Sequence, residues 1–577
     1  MTVQETWFGG DDNVLLGIWN VPDGEVARGA VVLCPPLGKE TVHAYRLMAL
    51  AAQQLCAAGV AVLRFDYPGC GDSAGEELAP DAVDRWVQAI HAAVEHARCA
   101  GAREVALLGL RAGALLAAAA AGSSGPLTAL ALWDPVTRGR TYLREQSVLY
   151  RLKVDVSPLG GGAVAPDTGP DADVTALVGA ELHPDAAAAL RALSLADHPA
   201  ADLAAPVLVA ARTERWSEGV LAGYAERTGA SRQVLSGHEQ VFDVATFEVR
   251  LPGASTAALT AWLAQRFGAR SEPLRVPLRR TAALGGSAGQ AAVVERLVRL
   301  GPDGLFGILS QPLSTPDHEP GGGPLVVALP SSTEYRVGTG RIWVQLARRL
   351  AANGVCCLRF DRRGTGDSSV VHADERTPAY SAAAHQDLDA VLAALGRPPE
   401  LVTLVGHCSG AWLAGEAASE GAAGSVVLLG AIRFPVGRQV KDWTPVDDPE
   451  NVAVATGLGR AKTVIKPFVP DPVWRWMGRR GLAHVPEVVL RRLRDAGARV
   501  TMVMAPADHR AFVANRGVRA LARLHSSGWP VVVYVGDAGD HSLVHRGLRR
   551  FAIDRAVQAV LAEHGVGAAA VASARTP

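Results

Sequence analysis

The chain has 577 residues, more than one hydrophobic core usually serves, so two or more domains are expected. Hydrophobic residues make up 49% and charged residues 20%, which is typical of a folded globular protein and excludes a disordered one. Because the formal net charge is 0, there is no overall positive potential that would attract nucleic acid or an anionic membrane. No apolar run is long enough to span a bilayer.

The cysteines and the N-terminal residues indicate the cellular compartment in which the protein is expected. The seven cysteines are scattered, without the spacing of metal ligands, and the first residues lack the basic-then-apolar pattern of a signal peptide. We therefore expect reduced thiols in a cytoplasmic protein, with no bound metal and no cofactor.

An internal repeat organises the whole chain. Residues Leu63–Asp66 recur as Leu358–Asp361, and the turn Gly69–Ser73 recurs as Gly364–Ser368. Apolar strands alternate with helices around both copies. This alternation predicts two tandem α/β domains, each a mostly parallel sheet covered by helices, with cap or lid insertions.

The repeat and the composition also predict where the domains end. A first domain is predicted over residues 1–270 and a second over 291–565. Between them, Arg, Pro, Gly and Ser replace the helical pattern, which predicts a linker over 271–290. Residues 566–577 are predicted to form a loose tail.

The first half alternates predicted strands with helices and contains one long insertion. The insertion runs from Arg138 to about Pro199, is polar and Gly/Pro-rich in places, and is predicted to form a cap. The predicted strands are Leu15–Val21, Ala30–Leu33, one that ends before the turn Asp66–Ser73, Val105–Leu108, Thr128–Asp134 and Pro206–Ala211.

The segment Gly109–Gly113 has the strand, sharp turn and helix context of a nucleophile elbow. Its central residue is Arg111, whose guanidinium stays protonated and cannot attack a carbonyl. Glu214 follows a strand where a catalytic acid would lie, and His238 lies where a base would lie. We expect an inert site in which Arg111 pairs with Glu214, or alternatively one in which Arg111 binds a carboxylate or phosphate of a ligand.

The second half repeats this order and adds a predicted lid over residues 434–487. Trp443, Trp474 and Trp476 in the lid could line an acyl pocket, although we favour a small core of the lid itself. The predicted strands are Val293–Leu300, Leu305–Ser310, Leu325–Leu329, Leu401–Val405, Ser425–Leu429, Arg499–Met504 and Val531–Val535.

The segment Gly406–Gly410, with the sequence Gly-His-Cys-Ser-Gly, is the counterpart of the first elbow. Flanking glycines let strand and helix approach closely and leave Cys408 at the top of the sheet. The alternative interpretation is a buried cysteine in a tight turn.

Two further residues follow later strands in the order that a hydrolase triad requires. Asp508 follows Arg499–Met504 and His541 follows the last strand, so Cys408, His541 and Asp508 are the predicted nucleophile, base and acid. His509 is a weaker candidate for the base because it lies on the loop of the acid. Ser409 is a weaker nucleophile because it is off the centre of the elbow.

Backbone N–H groups near these residues are the candidates for an oxyanion hole. By position, the N–H of Ser331 or Ser332 after Leu325–Leu329 would supply one donor and that of Ser409 the other.

Both halves resemble the α/β-hydrolase fold, in the branch that contains serine aminopeptidase-like and thioesterase-like enzymes. Residues Gly109–Ala114 and Leu132–Val136 resemble one member of the paired hydrolases associated with exosortase A systems. In those pairs one partner has an arginine elbow and the other a cysteine elbow, and here the two would be fused. The Gly-x-Cys-x-Gly elbow also resembles dienelactone hydrolases, polyhydroxyalkanoate synthases and some carrier-protein thioesterases, which implies an acyl-cysteine intermediate.

Together these patterns predict an acyl-transfer enzyme that works through Cys408. The expected partner is an acyl substrate, with a thioester of coenzyme A or of a carrier protein as first choice, and neither nucleic acid nor a membrane span. A small-ester or lactone hydrolase is the alternative enzyme. A non-catalytic binding or scaffold protein, with both elbows degenerate, is the alternative from another class.

Overall fold

A computed structural model describes residues 1–10, 13–155, 173–198, 204–217, 219–242, 250–285, 292–313, 322–331, 334–372, 375, 380–438 and 468–565. The predicted tail, Ser332, Trp443 and much of the predicted lid lie outside these residues.

The strands alternate with helices along both halves, as the repeat predicts. The strands are β1 (Thr2–Phe8), β2 (Leu15–Val21), β3 (Val26–Ala27), β4 (Ala30–Cys34), β5 (Ala61–Phe65), β6 (Val105–Leu110), β7 (Leu130–Trp133), β8 (Thr175–Leu177), β9 (Ala180–Leu182), β10 (Val207–Arg212), β11 (Ser231–Leu235), β12 (Glu272–Pro273), β13 (Thr281–Leu284), β14 (Val293–Leu300), β15 (Leu305–Pro312), β16 (Leu325–Leu329), β17 (Cys356–Phe360), β18 (Val402–His407), β19 (Ser425–Leu429), β20 (Arg499–Met504) and β21 (Val532–Val535). The helices are α1 (Lys39–Ala57), α2 (Ala82–Cys99), α3 (Ala112–Ala121), α4 (Gly139–Asp155), α5 (Pro184–Ala192), α6 (Gly219–Arg227), α7 (Glu239–Phe242), α8 (Gly253–Ala264), α9 (Ile342–Ala352), α10 (Ala382–Leu395), α11 (Ser409–Ser419), α12 (Asp471–Arg479), α13 (Pro486–Asp495), α14 (Pro506–Ala514), α15 (Gly517–Ser526) and α16 (Arg546–Glu563).

Each half forms its own large sheet. In the described residues the first sheet has the order β1-β2-β5-β4-β6-β7-β10-β11, and the second has the order β13-β14-β15-β17-β16-β18-β19-β20-β21. In the first sheet the pairs from β5-β4 onward are parallel, and in the second sheet the pairs from β17-β16 onward are parallel. The pairs that precede them in each sheet are antiparallel. The central strands are buried along their whole length, because helices cover both faces. The predicted fold class, two tandem α/β domains with mostly parallel sheets, is confirmed.

The predicted linker is tied to both domains. Within residues 271–290, β12 pairs with β3 of the first half, and β13 pairs with β14 at the edge of the second sheet. The Pro- and Gly-rich composition of this stretch does not predict these short strands, because strand pairing depends on an available sheet edge as well as on local propensity.

The repeat produces a reciprocal exchange of ion pairs between the two domains. Arg64 of β5 donates to Asp367 of the second domain at 2.8 Å. The equivalent residue Arg359 of β17 donates to Asp72, which is the counterpart of Asp367 in the first domain. Each strand arginine therefore bonds the turn aspartate of the other domain, as in an isologous dimer interface.

Arg336 closes this cluster from the second domain. Its guanidinium, which is fully buried, lies 2.8 Å from Asp72, 2.6 Å from Asp361 and 3.0 Å from Asp367. Burial raises the pKa of Asp367, but Arg64 and Arg336 lower it by more, so this carboxylate stays charged inside the interface. The buried charges of Arg64 and Asp72 in the first domain are thus neutralised by the second domain. Arg336 also neutralises Asp361 and Asp367 within its own domain.

Replacement of Arg336 by Met should destabilise the protein by about 3–5 kcal/mol, because three buried carboxylates lose a common partner. Chemical denaturation measures the change. The matched control is Arg349→Gln, which breaks a pair with Asp554 whose side chains are 34% and 51% exposed. That variant should lose less than about 1 kcal/mol. Equal losses in the two variants would contradict the interface described above.

Candidate active site

The turn between β18 and α11 has the geometry of a nucleophile elbow. Cys408 has φ 53° and ψ −113°, a strained backbone conformation for a residue other than glycine. A Cβ on Gly406 would lie 2.1 Å from the carbonyl oxygen of Gly410, and one on Gly410 would lie 2.0 Å from that of Leu329. The two glycines are therefore required by close packing, and the half-buried Cys408 stands at the end of the strand.

Asp508 and His541 are brought together from the ends of two other strands. Nδ1 of His541 lies 3.0 Å from Oδ1 of Asp508. The second carboxylate oxygen accepts a hydrogen bond from the backbone N–H of Ala505 at 3.3 Å. This bond holds the carboxylate in the first turn of α14, so it is His541 and not the neighbouring His509 that Asp508 orients.

The remaining ring nitrogen of His541 is available to the thiol of Cys408. Nε2 is buried, and the thiol of Cys408 is one of the two neighbouring groups that act on the ring, the other being Asp508. Burial lowers the pKa of His541, but Asp508 and Cys408 raise it by more, to well above the ordinary histidine range. Asp508 and Cys408 therefore both stabilise the protonated form of this ring.

His407 supports His541 from the elbow itself. Nε2 of His407 bonds the backbone carbonyl of His541 at 2.8 Å, and the two rings lie 5.5 Å apart. Burial, together with the charge of His541, lowers the pKa of His407 to about 4, so this ring is neutral and donates from Nε2. The sequence analysis missed this role, although a histidine directly before Cys408 was its available signal.

The candidate oxyanion donors are placed only in part. Ser409 is buried as the first residue of α11, where backbone N–H groups point out of the helix end. Ser331 follows β16, and its carbonyl accepts a hydrogen bond from Glu334 at 2.9 Å. Ser332 lies outside the described residues, so the donors in this loop stay a prediction.

The first elbow has the same backbone as the second but a different set of contacts. Arg111 has φ 54° and ψ −118°, close to the values of Cys408. Its guanidinium bonds Glu40 at 3.2 Å and Asp134 at 3.2 Å, and all three side chains are buried. Tyr142 and Gln146 also donate to Glu40. The arginine is thus neutralised inside the domain.

The predicted pairing of Arg111 with Glu214 is wrong. The side chain of Glu214 is 57% exposed and pairs with Arg212 at 3.1 Å. His238 is buried, but its Nε2 accepts a hydrogen bond from the indole of Trp133 at 2.9 Å. Glu40 and Asp134 satisfy the arginine because they lie deeper than Glu214, where an unpaired guanidinium would be costly.

In the part of the chain that the structure describes, no group of three or more His, Cys, Asp or Glu side chains is arranged to hold a metal ion. Among the same residues, no helix combines the length and the apolar character needed to cross a membrane.

Comparisons with known proteins agree with the architecture. Residues 320–566 match the family described as alpha/beta hydrolase family, and residues 25–158 match the family described as serine aminopeptidase, S33. No curated protein matches the chain.

Solved structures that are similar to the chain each cover about half of it. Est1E from Butyrivibrio proteoclasticus with ferulic acid bound shares 16% identity, with a TM-score of 0.34, over 45% of this chain and 98% of its own. The thioesterase domain from the curacin biosynthetic pathway shares 14% identity, with a TM-score of 0.31, over 45% and 100%. Dienelactone hydrolase from Anabaena variabilis shares 14% identity, with a TM-score of 0.31, over 50% and 99%.

Replacement of Arg111 by Met should destabilise the protein by about 3–5 kcal/mol, because Glu40 and Asp134 would remain buried without their cation. Glu214→Gln should change the stability by less than about 0.5 kcal/mol, because Glu214 is exposed. Thermal unfolding of the two variants measures both effects, and the reverse order would restore the pairing rejected above.

Replacement of Asp508 by Asn should slow the alkylation of Cys408 by iodoacetamide at pH 6. The expected factor is about tenfold for each unit by which the pKa of His541 falls. Loss of the carboxylate lowers the pKa of His541, so the ring accepts the thiol proton less readily. Peptide mass spectrometry measures the rate. The exposed Cys99 is the internal control, whose alkylation rate should not change. An unchanged rate at Cys408 would contradict the coupling.

Proposed function

Given that this chain is an enzyme of the hydrolase class with two α/β-hydrolase domains in tandem, we propose that its second domain transfers acyl groups through Cys408. The observation that carries this proposal is the hydrogen bond between Nδ1 of His541 and Asp508, with the thiol of Cys408 acting on the same ring. A nucleophile, a base and an orienting acid are the minimum set for covalent acyl transfer.

The acyl-enzyme step uses each of these residues in turn. The thiol proton of Cys408 moves to Nε2 of His541, and the thiolate attacks the carbonyl carbon of the substrate. The negative charge that develops on the carbonyl oxygen faces backbone N–H groups, with Ser409 as the first candidate donor. The tetrahedral intermediate collapses, the leaving group takes the proton from His541, and the acyl group remains on the sulfur.

The second step regenerates the thiol. Water or another nucleophile loses a proton to His541 and attacks the acyl-cysteine, and the sulfur leaves as a thiolate that the imidazolium stabilises. Asp508 keeps the ring in the orientation that serves both steps. The hydrogen bond from His407 to the backbone of His541 supports the same orientation.

We propose a thioester as the acyl donor, bound to coenzyme A or to a carrier protein. Exchange of an acyl group between two sulfurs conserves the type of bond, so Cys408 can be acylated without an energetic penalty. Acylation of a thiol by an ordinary oxygen ester is uphill by comparison. The nucleophile therefore suits a thioester donor better than a small ester or lactone.

Incubation with acetyl-coenzyme A and with longer acyl thioesters should give an acyl adduct on the peptide that contains Cys408, detected by mass spectrometry. Cys408→Ala should abolish the adduct, and His541→Gln should reduce its rate of formation by roughly 10²–10⁴-fold while the fold is kept. An ethyl ester of the same acyl chain, which is an ordinary oxygen ester, tests the choice of donor.

Two results would overturn the proposal. An adduct that persists in Cys408→Ala would assign the chemistry to another residue, and no adduct with any donor would favour a binding or scaffold protein. Faster acylation by the oxygen ester than by the thioester would favour an ester or lactone hydrolase.

A further inference from the structure

A hairpin of the first domain lies against the helix that follows the histidine of the second domain. The hairpin consists of β8 and β9, and its Glu181 is only 5% exposed. Glu181 forms ion pairs with three arginines in the first turns of α16: Arg549, Arg550 at 3.1 Å and Arg546 at 3.5 Å. One carboxylate of the inert domain therefore anchors the start of a helix in the other domain.

Arg549 extends this anchor to the loop that carries His541. The guanidinium donates to the backbone carbonyl of Leu543 at 3.3 Å and to that of Val544 at 3.1 Å, while another of its nitrogens bonds Glu181. The side chain is buried, so these bonds are protected from water. The hairpin of the first domain and the main chain just after His541 are thus connected through a single side chain.

Apolar packing joins the same two segments. Val544 is buried in a cluster with Val154 and Val178 of the first domain. The backbone N–H of Arg546 also donates to the hydroxyl of Tyr150 at 3.4 Å. These contacts hold the end of the histidine loop against the first domain independently of the ion pairs.

The loop between His541 and α16 is tied together internally. The carboxylate of Asp540 accepts backbone hydrogen bonds from Ser542 at 3.0 Å, Val544 at 3.4 Å and His545 at 2.8 Å. Leu543 has φ 54°, a conformation that persists only where its surroundings enforce it. A shift of residues 543–546 would therefore move His541.

From these contacts we infer that Glu181 is a positioning residue for the second site, through which the first domain holds His541 in line with Cys408. This inference rests on the proposed function of Cys408. It assigns the first domain a role in the reaction although that domain has no nucleophile. The role requires no ligand in the first domain, because Arg111 is already neutralised by Glu40 and Asp134.

The test is Glu181→Gln in the full-length chain, which keeps the size of the side chain and removes its charge. The rate of Cys408 acylation should fall by roughly 10- to 100-fold, as expected for a displaced catalytic group, with little change in KM. Glu181→Asp should restore part of the rate. A purely structural role would lower the melting temperature without this split between rate and KM.

The matched control is Glu375→Gln, which breaks another ion pair between the domains. Glu375 accepts hydrogen bonds from Arg46 of the first domain at 2.8 Å and from the backbone of His372 at 3.3 Å, and neither partner belongs to the histidine loop. That variant should acylate Cys408 at the wild-type rate. A loss of rate in both variants would show that any damage to the interface slows the reaction, and would overturn the specific role of Glu181.

Three outcomes separate this inference from the proposed function. If wild type and Glu181→Gln acylate Cys408 at equal rates, Glu181 has no positioning role. If the wild type forms no acyl adduct, the proposed function fails, and alkylation of Cys408 at pH 6 then tests the inference: an unchanged rate in Glu181→Gln overturns it and a slower rate supports it. If Glu181→Gln fails to fold, Glu181→Asp replaces it, because the shorter side chain keeps the charge but weakens the contact with the arginines: acylation at the wild-type rate overturns the inference and slower acylation supports it.

Discussion

The exchange of buried ion pairs between the two domains is the constraint on which the rest of the structure depends. Arg64 and Arg359 occupy equivalent positions in the repeat, and each neutralises the turn aspartate of the other domain. Arg64 and Asp72 of the first domain have their ion-pair partners in the second domain. Burying them is favourable only when both domains are present in one relative orientation, because an unpaired buried charge is costly. That orientation also places the hairpin around Glu181 against α16.

The two elbows show how little the backbone decides about chemistry. Arg111 and Cys408 have nearly the same φ and ψ, and flanking glycines pack equally tightly in both turns. In the first domain the central side chain is a cation that binds Glu40 and Asp134. In the second domain it is a thiol, which raises the pKa of a histidine held by Asp508. The same scaffold therefore supports a structural ion cluster in one copy and the proposed nucleophile in the other.

The two domains contribute differently to the second site. Of the three predicted site residues, Cys408 follows β18, Asp508 lies in α14 and His541 lies in the loop before α16. This loop contacts the first domain through Val544 and the backbone of Arg546. The proposed proton transfer requires a fixed orientation of His541. The inferred role of the first domain is to supply that orientation without the entropic cost of association, because it is tethered to its partner.

The sequence by itself determined the α/β class, the tandem repeat, both elbows and the order of Cys408, Asp508 and His541, because strand–helix alternation and glycine spacing are local patterns. Only the tertiary structure decided what these residues touch. The pairing of Arg111 with Glu40, the bond between Trp133 and His238 and the support of His541 by His407 depend on burial and on contacts between distant segments. The ion pairs between the domains also depend on contacts between distant segments. The repeat shows that Arg64 and Arg359 are equivalent, but not that each bonds the other domain. Which partner a side chain bonds depends on how deeply both are buried and on the free-energy cost of leaving a charge unpaired. The local sequence determines neither of these quantities.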